Sequence, residues 1–136
     1  MSGETNLSKL LSNMEPVLKT NRYVFVTVSY SCEIDFSIVH GTFKEEEGVT
    51  LILEKDRADN LNLTYDFVAS CITLTVHSAL HAIGLTSAIS TALANNKISC
   101  NVIAAYYHDH IFVNEKDAER AMKVLLKLTN AYNLKQ

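Results

Sequence analysis

CITLTVHS, residues 71–78, alternates Ile72, Leu74 and Val76 with Thr73, Thr75 and His77. Successive side chains of an extended chain point to opposite faces, so this stretch reads as a strand with one apolar and one polar side. The period then changes. From Gly84 onward, Leu85, Ala88, Ile89, Ala92 and Leu93 fall at i, i+3, i+4, i+7 and i+8, with Thr86, Ser87, Ser90 and Thr91 opposite. That spacing predicts an amphipathic helix whose outer face carries small side chains. Asn95 and Asn96 are candidates for a left-handed residue that ends it. ISCNVIAAYY (98–107) returns to an extended apolar pattern, and IFV (111–113) resumes a strand. Asn114, with Asp117 three residues on, reads as an N-cap with an acidic capping partner. Ala118, Ala121, Met122, Leu125 and Leu128 form the stripe of a second helix.

The order strand, helix, strand, strand, helix limits the topology. A strand-helix-strand unit crosses over right-handed and leaves its two strands parallel in one sheet, and the hairpin that follows adds an antiparallel strand beside them. Each helix has one apolar stripe, so both cover the same face. The expectation is an α+β fold, a ferredoxin-like sandwich with helices on one face of an antiparallel sheet. Such a unit wants a fourth strand after its last helix, yet the tail NAYNLKQ (130–136) is short and polar. A strand from the first half is the candidate for that place.

The first half reads as a short helix and three strands. Leu7, Leu10, Leu11 and Met14 recur at helical spacing, and Pro16 favours a stop. YVFVTVSY (23–30), DFSIVHGTF (35–43) and GVTLILE (48–54) follow as strands. KEEEG (44–48) between the last two is a solvated hairpin tip, since like charges repel in a packed interior. KDRADNLNL (55–63) predicts a brief helix or turn, and no Pro-rich or Gly-rich linker follows.

Composition narrows the function classes. The chain has 136 residues, 48% hydrophobic, enough for a real core. A net charge of -3, from 12 basic and 15 acidic residues, gives no cationic footprint for phosphates, so no nucleic-acid partner is expected. No uncharged apolar run approaches the roughly 20 residues that span a bilayer, and the N-terminus lacks the blocks of a signal peptide. No membrane partner and a cytoplasmic location are the expectation. Cys32, Cys71 and Cys100 are odd in number and widely spaced. They read as small buried or half-buried apolar residues rather than a disulfide or zinc framework. The triplet His108, Asp109, His110 lies between two predicted strands, so Tyr107–His110 reads as the reversal of a tight hairpin with side chains fanning outward. No metal site, cofactor or catalytic group is expected: no four zinc ligands converge in sequence, and no Ser or Cys motif supplies an activated nucleophile.

Gly84 opening a helix after a strand, LTSAISTALANNKISCNVIAAYY (85–107), and DHIFV (109–113) leading into a helix near EKDAERA (115–121) resemble an ACT domain. MSGETNLSKLLSNMEP, FKEEEGVTLIL, ITLTVHSALHAIGLTSAIS and YYHDHIFV together are similar to a group of small bacterial ACT-like proteins. The resemblance implies two fused ACT-like halves, a degenerate one over 1–66 and a regular ACT domain over 67–136. It also implies a non-catalytic regulatory module that binds a small molecule, an amino acid or related carboxylate, near the loop between first strand and first helix. In amino-acid-binding members a His at the end of the first strand and Asn side chains help fix the ligand. His77 lies at the matching strand end, although SALHAI (78–83) is longer than the usual loop and lacks its Asn and Pro. The implied contacts are His77, Ser78, His81, Ile83, Gly84 and Leu85, with Ser99 and Asn101 from the second strand. A homodimer is expected, because ACT-like sheets commonly join into one. A ligand-free interaction module with the same fold is the competing expectation, and it predicts an exposed apolar patch instead of a polar cleft.

Overall fold

Alternating strands and single-stripe helices assemble as their patterns require. In the computed structural model, which describes residues 6–76 and 82–133, α1 (Leu7–Asn13) starts where the Asn6 side chain accepts from the Lys9 amide (3.1 Å). β1 (Pro16–Val28), β2 (Val39–Lys44), β3 (Val49–Glu54), α2 (Lys55–Asn60) and β4 (Val68–Leu74) follow. The second half continues with α3 (Leu85–Asn95), β5 (Cys100–Ala104), β6 (Asp109–Asn114) and, after a 3-10 turn over Glu115–Asp117, α4 (Ala118–Asn133).

Among the described residues the strands form a six-stranded sheet in the order β2-β3-β1-β4-β6-β5, every neighbouring pair antiparallel. β4 and β5 are therefore parallel to each other, as expected, but β6 inserts between them rather than beside them. The order contains two three-stranded units, β1-β3-β2 and β4-β6-β5, joined through β1 and β4. Each of these two is the first strand of its own unit and the fourth strand of the other. The strand missing after α4 is thus supplied by β1. The alternation suggested a strand beginning at Tyr23, whereas β1 begins at Pro16. Its early part, Pro16 to Leu18, pairs with Leu74 to Ile72, and the ladder then shifts register before Arg22. Lys19, Thr20 and Asn21 occupy that bulge, which removes the period of two just where the sequence turns polar.

The helix-bearing face holds most of the core. Leu10 and Leu11 of α1, and Met14 just after it, pack with Ile72, Leu74, Leu85, Ile89, Ile111 and Leu125, so the first helix of the chain serves the second half. The Thr129 hydroxyl donates to the Met14 carbonyl (3.4 Å) and pins the end of α1 to α4. Val24, Val26, Leu51 and Leu53 form a smaller cluster beneath Ala58 of α2. A third cluster, Tyr23, Ile52, Ala69, Cys71 and Phe112, gathers the alternate residues of the same strands on the helix-free face.

Several local expectations are corrected. The left-handed residue after α3 is Lys97 (φ 58°), because Asn96 is occupied in donating its side-chain amide to the Ala92 carbonyl (2.8 Å). Asp117 pairs with Arg120 (3.0 Å), while Asn114 accepts from the Lys116 amide (3.0 Å). Cys71 is buried and Cys100 half-buried, but Cys32 is exposed in the loop between β1 and β2. Gly48 is needed for close approach, since a Cβ there would lie 2.6 Å from the Val28 carbonyl oxygen.

Sharing β1 and β4 makes the halves one folding unit. Leu53→Ala in the first half and Ile72→Ala in the second, both fully buried, should each lower stability by about 2–5 kcal/mol. Urea melts followed by tyrosine fluorescence and by far-UV circular dichroism should shift together in both variants; two separable transitions would show independent halves.

Candidate functional site

The loop from β4 to α3 carries the expected contacts. Gly84 precedes α3 in a left-handed conformation (φ 97°, ψ -13°), and no side chain among the described residues caps the helix. Only glycine takes this backbone without strain. A Cβ on it would lie 3.0 Å from Cδ2 of Leu7, so Gly84 also serves close packing against α1. Leu85 is buried, whereas Ile83 is 86% exposed. His77, Ser78 and His81 lie outside the described residues.

Ser99 and Asn101 are not brought to Gly84 within one chain. Cys100 and Val102 pack toward the helices, so Asn101, between them, faces away. Cys100 is in register with Val113, and Val113 with Ser70. Leu74, where β4 ends, is four residues further on, about 13 Å along the sheet from the start of β5. Ser99 therefore lies near the opposite end of the sheet from the loop that leads to Gly84.

The His108–His110 triplet is corrected. The reversal spans residues 105–108, closed by the Ala105 amide donating to the His108 carbonyl (3.1 Å), and Asp109 and His110 already belong to β6. Consecutive strand residues diverge, so they face opposite sides of the sheet. Asp109 alternates with Ile111 and Val113 toward the helices, in register with Leu74, and is only 7% exposed. Burial raises its carboxyl above the ordinary range, partly offset by the nearby His108. Nδ1 of His108 is itself buried without a hydrogen-bond partner among the described residues. His110 faces the helix-free side, where its Nδ1 and the Thr73 hydroxyl share a hydrogen bond of 2.9 Å. Continuing the alternation of IFV two residues backward was the signal for Asp109; a turn reading of HDH concealed it.

A cleft of about 390 Å³ opens on the helix-free face, lined from all six strands. Ile52, Cys71, Ile103 and Phe112 form its apolar part, and Lys19, Tyr23, His40, Thr73 and His110 its polar part. Two ladder irregularities present basic side chains. Lys19 stands at the bulge of β1, and His40 is the extra residue between Val39 and Gly41 of β2. The His40 ring meets Tyr23 edge-on (5.0 Å, 87°), and Tyr23 meets Phe112 (5.8 Å, 81°). Burial lowers the pKa of His110, as do the neighbouring His108, Lys19 and His40. The reading of single strands assigned no role to this face. Tyr23, Phe25, Ile52, Cys71 and Phe112, all on second faces, were the available sign.

ACT-domain family models match residues 2–70 and 67–127. A solved structure of a Vibrio cholerae protein of unknown function, described as a possible transport protein, is 45% identical over 90% of this chain and 95% of that one, with a TM-score of 0.80. The chain belongs to the ACT domain family. An Agrobacterium tumefaciens protein is 18% identical (TM-score 0.70, covering 85% of this chain and 89% of that one). The ligand-free regulatory subunit of aspartate kinase from Thermus thermophilus is 8% identical (TM-score 0.64, 87% and 97%). At these identities the likeness is one of fold. Among curated proteins none matches. The tandem ACT architecture accounts for the two three-stranded units that exchange β1 and β4, with α3 and its Gly84 in the regular unit.

Because His110 is held below its usual pKa near 6.5, the unfolded chain takes up a proton on acidification that the native state declines. Stability carried by this residue is complete above about pH 6.5 and is lost as pH falls toward the depressed native value. Asp109 works the other way, its raised pKa restoring stability as pH falls toward 3.8. NMR titration should give His110 an imidazole pKa below 6.5, and His110→Gln should flatten the loss of stability between about pH 7 and 5. An ordinary or elevated His110 pKa would contradict this.

Proposed function

We propose that the protein is a non-catalytic, cytoplasmic regulatory module that binds a small amino acid or related carboxylate and reports it to another protein. The observation that carries this reading is the pairing of two opposite partial charges at one end of the helix-bearing face. The first-turn amides of α3 have no side-chain cap among the described residues and attract an anion through their N–H groups and the helix dipole. Asp109, buried on the same face in register with the end of β4, is a partner for an ammonium group. An α-amino acid carries both charges on adjacent atoms. His77, Ser78, His81, Ile83, Gly84 and Leu85 are the contacts proposed along the loop.

A homodimer completes the proposal. β2 and β5 are the edges of the sheet, and an added copy satisfies their free backbone groups. Ser99 and Asn101, at the β5 edge, would reach a ligand only from such a second copy. A ligand shared across the interface stabilises the assembled state by its binding energy. Membrane insertion has no support, since no helix among the described residues is long and apolar enough to cross a bilayer.

Calorimetric and thermal-shift titration with the twenty amino acids should find at least one that binds below about 1 mM, or ~4 kcal/mol. Asp109→Asn should weaken it by about ten-fold. Gly84→Ala should lower stability by about 1–2 kcal/mol through its left-handed backbone while leaving the chain folded. If no amino acid binds in that range, the sensing reading fails. The exposed Ile83 at the loop then favours a ligand-free interaction module, recognisable by a stoichiometric protein partner in a pull-down.

A further inference from the structure

The cleft on the helix-free face has the composition of a second binding site, separate from the loop before α3. Its floor is apolar and buried, with Cys71 and Phe112 each only 5% exposed. Its polar groups are basic side chains and hydroxyls: Lys19, His40, His110, Tyr23 and the buried Thr73. Thr73 occupies Nδ1 of His110 (2.9 Å), which leaves Nε2 for a ligand. No carboxylate lines the cleft among the described residues. Glu54, in register with Tyr23, accepts from the Asn21 side chain (2.5 Å) and lines a different pocket. Lys19 and His40 are exposed and His110 is half-buried, so an anion entering the cleft meets basic groups at its rim and apolar side chains beneath.

We propose that this cleft binds a small organic anion with an aromatic or branched apolar body and a carboxylate, lacking an α-ammonium group. The carboxylate sits between Lys19, His40 and His110, and the body lies on Phe112, Ile52 and Cys71. An amino acid is disfavoured, because its ammonium would be desolvated over the apolar floor with no lining carboxylate to pair with and the Lys19 ammonium close by. The two ladder bulges fit this assignment, since a bulge re-aims a side chain and here each delivers one of the anion's contacts. The cleft draws on all six strands, so its occupant ties both ACT units together.

The test uses the full chain, with hydrocinnamate, its α-amino counterpart phenylalanine, and inorganic phosphate as probes, read by NMR of the histidine side chains and by calorimetry. Hydrocinnamate should shift the His110 and His40 signals saturably and raise the His110 pKa. Phenylalanine should bind there about ten-fold more weakly, and phosphate should give no saturable shift for want of an apolar body. His110→Gln and Lys19→Met should each weaken hydrocinnamate by about ten-fold with circular dichroism unchanged. The proposal is overturned by absence of a saturable shift, by equal binding of phenylalanine or phosphate, or by wild-type affinity in both variants. It is also overturned if Gly84→Ala removes the hydrocinnamate shift, which would place the probe at the loop. Asp109→Asn separates the two readings: it should leave hydrocinnamate binding intact, whereas loss of amino-acid binding in that variant bears only on the loop site.

Discussion

The antiparallel pairing of β1 with β4 is the constraint on which the rest of the molecule depends. Pro16 to Leu18 align with Leu74 to Ile72, and Arg22 to Val24 with Ser70 to Val68. An ACT unit needs four strands, and each half of this chain has three of its own. Antiparallel pairing of the two first strands completes both halves at once, β1 standing fourth in the second unit and β4 fourth in the first. It also recruits α1, which precedes β1 in the chain but packs on α3 and α4. Loss of either shared strand exposes apolar area in both units, because β1 and β4 pair at the centre of the sheet.

That pairing leaves the sheet with two unlike faces. Leucine, isoleucine and valine fill the side under the helices, where close-packed aliphatic side chains exclude water. The other side has no helix, yet Tyr23, Ile52, Cys71 and Phe112 are buried there. Large rings cover their neighbours by leaning along the strands, and edge-to-face contacts such as Phe25 with Phe112 (5.4 Å, 84°) hold them. An open sheet face thus becomes a concave surface.

The period of two in β4, the helical stripes of α3 and α4, and the need for a strand from the first half were legible because each follows from nearest-neighbour spacing. What escaped the sequence has a different origin. The early part of β1 is extended only because β4 lies beside it, and its bulge hides any alternation in KTNR. Lys97 takes the left-handed position because Asn96 has a competing hydrogen bond to Ala92. The burial of Asp109 follows from its place on the helix-bearing face in register with Leu74, which strand pairing decides. Of the contacts expected around Gly84, the glycine itself was readable from its position before a helix. Ser99 and Asn101 were assigned from strand order alone, and register, which tertiary pairing sets, separates them from it.

The HDH triplet shows why residue type and spacing underdetermine a site. In a turn its side chains would share one solvent space; in a strand they are divided by the sheet. Asp109 goes to the helix side and His110 to the open side, so neighbours in sequence belong to different chemical environments. His108, at the reversal, acts on both, drawing the Asp109 carboxyl down and disfavouring the charged form of His110. A metal would need all three converging on one point, which the pleat forbids. The same pleat lets one short segment contribute an acid to one face and a base to the other.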